Sequence, residues 1–151
     1  KTENVDFKAI TENPFKQMRD RYISKHPSIS GLAVDQRIDQ VIAYIEENTE
    51  ETDHVFLYPD QTFVNGVTGR QSGQPILWFR PDLTFKKDGD IMTKGLILGA
   101  FEGNGIDWVV FEHGARAVFK EQFPDVAGYI DDNFVTMSLV ADYYTIFERS
   151  R

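Results

Sequence analysis

The chain contains no cysteine. That excludes disulfides, thiolate nucleophiles and cysteine-ligated zinc together, and is compatible with any compartment. Long apolar runs are missing as well. The longest candidates are interrupted by Gly99, Gly114 and Asp142, short of the roughly 18 residues a membrane-spanning helix needs. The reading therefore expects a soluble chain with no membrane partner. Histidine is scarce, three residues in all. None falls in HExxH or HxH spacing, so no metal site is expected. Basic residues are outnumbered, 16 against 24 acidic, for a net charge of −8. Such a balance repels phosphate backbones and disfavours nucleic acid as a partner.

What is present suits one domain. A chain of 151 residues, 41% hydrophobic and 13% aromatic, can build a core and is not composed like a disordered segment. It opens on Lys1 rather than on methionine, which suggests processing or excision, and residues 1–11 contain no apolar signal-peptide region. Residues 1–12 read as a flexible arm and 13–151 as a single α+β domain.

Two helices are expected near the N-terminus. In "ENPFKQMRDRYISKHP", Asn13 suits an N-cap, Pro14 the first helical position, and Pro27 stops the run. In "VDQRIDQVIAYIEENT", Ile38, Val41, Ile42 and Ile45 follow helical spacing, with Arg37, Asp39, Gln40 and Glu47 on the opposite face. From Asp53 the texture changes. "HVFLY", "QTFVN" and "PILWFR" read as short strands. Asp88-Gly89 and Gly103-Asn104-Gly105 read as turns of two hairpins, at 83–101 and 91–113. A helical insert follows, with Ala115, Val118, Phe119 and Phe123 on one face and Val126, Tyr129, Ile130 and Phe134 on a second. β-Branched residues then favour strands over "FVTMSLVADYYTIFERS". The expected fold is two N-terminal helices packed on a largely antiparallel sheet with a late helical insert.

Candidate binding residues come from three places. The segment "NGVTGRQSGQP" (65–75) has glycines at 66, 69 and 73 around Arg70. Gly69 and Gly73 would let the backbone approach a ligand, and Arg70 could clamp a carboxylate or phosphate, although a plain surface loop explains the glycines more simply. In "FEHGAR" (111–116), Glu112, His113 and Arg116 would gather at a helix N-terminus, or else be solvated turn charges. Trp78 and Arg80 in "WFRPD", with Tyr143 and Tyr144 near the C-terminus, are candidates for a recognition surface. The spacing in "DGD" does not fit a calcium loop, and "RQSGQ" lacks the frame of a nucleophilic serine.

With no catalytic motif and no cofactor signature, the expectation leans away from an enzyme. The favoured reading is a small acidic protein-binding module, of the inhibitor, immunity or accessory kind, docking a basic partner surface. One alternative is a small enzyme or ligand-binding domain using Arg70, Glu112, His113 and Arg116 on an anionic molecule, with the glycine-rich loop as a lid over "FEHGAR". Another is a structural subunit of a larger assembly. Oligomeric state is left open.

Overall fold

The computed structural model describes residues 32–76, 79, 91–103 and 105–150. The arm at 1–12, the helix expected over 13–27, and the first half of the 83–101 hairpin lie outside the described residues, as do Trp78 and Arg80. The elements run α1 (Leu32–Asn48), β1 (His54–Tyr58), α2 (Phe63–Thr68), β2 (Gln71–Ser72), α3 (Ile91–Gly103), β3 (Ile106–Phe111), α4 (Ala115–Gln122), α5 (Pro124–Asn133), β4 (Phe134–Val140) and β5 (Tyr144–Arg149). They form an α+β fold around one five-stranded sheet of order β2-β1-β3-β5-β4.

The sheet is mixed rather than largely antiparallel. β1 lies parallel to both β2 and β3, whereas β5 runs antiparallel to β3 and β4. The reason lies in the connections. A parallel return needs a crossover, and α3 lies in the one between β2 and β3.

This also overturns the two hairpins expected at 83–101 and 91–113. Residues 91–103 are helical. Their buried members Thr93, Ile97, Ala100 and Phe101 recur at i, i+4, i+7 and i+8, a helical period that a short apolar run can hide. The glycine read as part of a hairpin turn, Gly105, sits at φ +64 just past the helix end, the place where a left-handed residue stops a helix. The strand expected over "QTFVN" is likewise corrected, because Phe63–Thr68 is the short helix α2. Asn65 decides it locally. Its buried Nδ2 donates to the Val55 carbonyl at 3.0 Å, tying that helix to β1.

Both faces of the sheet are covered. On one, Val55, Leu57, Trp108, Val110, Tyr144 and Ile146 pack against Val41, Ile42 and Ile45 of α1. On the other, Phe56, Tyr58, Val109, Phe111 and Phe147 meet α3, α4 and α5 through Phe101, Phe119 and Ile130. Burial on two faces is why β1 and β3 read as continuous apolar runs. Eight phenylalanines belong to that second core, and their rings meet mostly edge to face, as at Phe56–Phe119 (6.0 Å) and Phe111–Phe119 (5.2 Å). Each such buried ring contributes about 2–3 kcal/mol by leaving water. Most of the aromatic excess is therefore accounted for by packing.

The late helical insert is present as α4 and α5, with Phe119, Val126 and Ile130 facing the core. The terminal strands are present too, joined by a turn at Ala141 and Asp142. Both take positive φ, 55° and 50°, and the Tyr143 N–H donates to the Val140 carbonyl at 3.1 Å.

Candidate functional site

The parallel strands β1 and β3 end side by side, and β2 and β3 lie on opposite sides of β1. In sheets of this kind the crevice outside the strand carboxyl ends, where the connections diverge, is the usual place for a ligand. Here the Glu112 N–H donates to the Tyr58 carbonyl at 3.2 Å, stitching the two strand ends together. Glu112 then follows the alternation of β3, in which Trp108 and Val110 face α1, and its side chain joins that face.

A crevice of about 210 Å³ opens there, lined by Arg37, Gln61, Glu112, Tyr143 and Tyr144. Gln61 Nε2 donates to Glu112 Oε1 at 2.6 Å, and the Tyr143 hydroxyl donates to Glu112 Oε2 at 3.4 Å. Both donors are neutral. Among the described residues Glu112 has no ion pair. Among the same residues the buried Oε1 of Gln61 finds no donor. The Arg37 guanidinium lies over the Tyr143 ring, 4.8 Å from its centroid, so one basic group already stacks on an aromatic face here. Tyr143 and Tyr144 meet edge to face at 5.0 Å.

Burial, and then the Glu112 charge, raise the pKa of both tyrosines, that of Tyr144 to about 12. Both hydroxyls are therefore protonated donors at neutral pH. The crevice can offer a carboxylate and an amide oxygen as acceptors, two aromatic rings, and one arginine at its rim.

The fold thus gathers three of the sequence candidates, Glu112, Tyr143 and Tyr144, in one place. His113 is at its margin, exposed, with its ring 6.1 Å from that of Tyr143. Arg116 is not with them. It pairs with Asp131 and stacks over Phe147 at 4.7 Å, on the α4 side of the sheet. The gathering of Glu112 and Arg116 at one helix end is thus corrected, because strand alternation sends Glu112 to the opposite face.

Arg70 lies farther off. Gln71 pairs with His54 at the start of β1, whereas Glu112 follows the strand ends. The five residues of β1 separate them by roughly 15 Å, so Arg70 does not sit beside Glu112. The Arg70 guanidinium is taken up by the end of α1. Nε donates to Thr49 Oγ1 at 2.8 Å, and the terminal nitrogens donate to the carbonyls of Thr49 and Thr68 at 2.6 Å and of Glu46 at 3.2 Å. The two candidate glycines of that segment, Gly69 and Gly73, have structural roles. Gly69 caps α2 at φ +71, and a Cβ at Gly73 would come within 2.6 Å of Ile106 Cγ1.

Two residues of the crevice carry no local signal in the sequence. Arg37 reads as the solvated side of an amphipathic helix, and Gln61 as the edge of a strand. Only the packing of α1 and of the Pro59–Gln61 segment against β3 brings them to Glu112. Among the described residues no group of acidic or histidine side chains is arranged to hold a metal, and no helix is long and apolar enough to cross a membrane. Comparison of the chain with models of protein families, with curated proteins and with solved structures finds no match.

Proposed function

We propose that the protein is an acidic docking module that receives a basic residue of a protein partner in the crevice at the ends of β1 and β3. The observation that carries this reading is Glu112, a carboxylate held, among the described residues, by two neutral donors and in no ion pair. An incoming ammonium or guanidinium, which only donates, fits a carboxylate beside the donorless Gln61 Oε1. The tyrosine rings supply rigid contact area and the net charge of −8 supplies steering. The strain of Ala141 in a left-handed conformation fits a turn shaped to aim Tyr143, since such strain persists where surrounding structure imposes it.

A second reading is favoured by one feature. Arg37 and Glu112 line the same 210 Å³ space, the charge pattern of a small zwitterion's counterpart. A small-molecule binder would then replace the docking module.

The test is affinity capture at about 50 mM and about 300 mM salt, which brackets physiological screening, with the native chain and with Glu112→Gln. The docking reading expects a basic protein held at low salt, shed at high salt, and lost with Glu112→Gln. Capture of nothing, together with a thermal shift given by a zwitterionic small molecule and abolished by Glu112→Gln, would overturn it in favour of the second reading.

A further inference from the structure

Among the described residues β4 is an edge strand, and its sequence, FVTMSLV, has neither charge nor proline. Edges are ordinarily guarded by charge, proline, a bulge or a covering element, because an open edge presents unpaired N–H and C=O groups to any extended chain. β4 carries a single irregularity, between Thr136 and Ser138. Val135, Met137 and Leu139 are 50%, 46% and 57% exposed. Their exposure is on both faces. Val135 pairs with Glu148, on the α1 side, and Leu139 pairs with Thr145, on the side of Phe147. A helix laid on one face would cover one of them. A strand added to the edge would cover both, since its own side chains alternate between faces.

Charge selects the occupant. Asp132, in the last turn of α5, and Asp142, in the turn after Val140, are both exposed and stand at the two ends of the strand. Antiparallel pairing with a second copy about Met137 would set Asp132 of each chain near Asp142 of the other, placing like charges at both ends. An extended segment with an apolar centre and lysine or arginine at its ends meets opposite charges instead. The carboxyl end of β4 runs through Asp142 to Tyr143, which lines the crevice, so a segment following the edge ends on the Tyr143 side of it.

We propose that β4 accepts an extended, basic-ended segment of a partner protein by strand addition. This rests on the docking reading above and names the form the partner takes. The probe is a nine-residue peptide of alternating valine and threonine with two lysines at each end. The same core ended by glutamates is the control, and both are added to the full chain while amide hydrogen exchange is followed by NMR. The lysine-ended peptide is expected to protect amides of residues 134–140, with affinity falling about tenfold between about 50 mM and about 300 mM salt. Leu139→Lys, at an exposed position, is expected to weaken it about tenfold with an unchanged melting temperature.

Equal binding of both peptides, protection elsewhere than β4, or no protection would overturn the proposal. So would a dimer by light scattering that protects β4 without peptide, which would make a second copy the occupant. The two readings fail separately. Loss of a captured basic protein with Glu112→Gln but no protection of β4 removes strand addition alone. Protection of β4 with capture indifferent to Glu112→Gln removes the crevice alone.

Discussion

The two edges of the sheet are built on opposite plans. β2 is two residues long, Gln71 and Ser72, both exposed and polar. It is held by Arg70 against the end of α1 and by the close fit of Gly73 to Ile106. β4 is seven residues long, uncharged, and apolar at three of the four positions where it meets water. A short polar edge offers a neighbouring chain little to pair with, whereas a long uncharged one offers a ladder and a hydrophobic surface. Among the described residues the β2 side is tied into the fold, and the length and exposed apolar residues of β4 fit the proposal that it receives a partner strand.

The largest effect expected on either side comes with alkali. Tyr58 in β1 and Tyr144 in β5 lie one strand in from each edge, and burial pushes both to about 12 from an ordinary value near 10. The raised values mean the folded chain holds these protons more tightly than the unfolded chain. Their stabilisation is complete below pH 10 and is lost as pH rises from 10 towards 12. Denaturant midpoints measured across that range should fall steeply. Tyr144→Phe and Tyr58→Phe should each flatten the fall, and a variant that leaves the fall unchanged would show that the tyrosine it lacks is not held protonated by folding on that side of the sheet.

Gly73→Ala should be next. Its Cβ would press on a fully buried Ile106, and overpacking of that kind costs about 2 kcal/mol, seen as a lower melting temperature. Arg70→Ala removes the donors to the Glu46, Thr49 and Thr68 carbonyls and should cost about 1 kcal/mol, because water reaches some of the freed carbonyls. An unchanged denaturant midpoint would show that the β2 edge does not depend on that clamp.

On the β4 side the changes are small. Ala141→Gly relieves a left-handed alanine at φ 55 and should raise stability by up to about 1 kcal/mol. Val135→Lys, at an exposed position, should move stability by less than about 0.5 kcal/mol. Calorimetry on these two against Gly73→Ala would break the comparison if the β4 changes proved the more damaging.

Legibility in the sequence followed the same division. Elements with a single unambiguous period, such as α1 with Val41, Ile42 and Ile45, or α4 and α5 with Phe119, Val126 and Ile130, were readable. So were β1, β3 and the terminal strands, where β-branched and aromatic residues concentrate. The run from Ile91 to Gly103 was not, because its exposed Leu96 and a neighbouring glycine disguised a helical period as a hairpin. For α2 the deciding contacts, Val64 in the α1 core and Asn65 on the Val55 carbonyl, are tertiary.

Composition and local pattern by themselves determined an α+β chain without disulfides, acidic overall, with enough aromatic residues for a dense core, and with Glu112, Tyr143 and Tyr144 among the residues to watch. Tertiary structure alone decided that the sheet is mixed, that Arg70 caps a helix, and that Arg37 and Gln61 complete the crevice with Glu112. The physical reason is range. Periodicity and turn chemistry act within a few residues, whereas a crossover helix, a strand's neighbours and a side chain's distant partner depend on the packing of the whole chain.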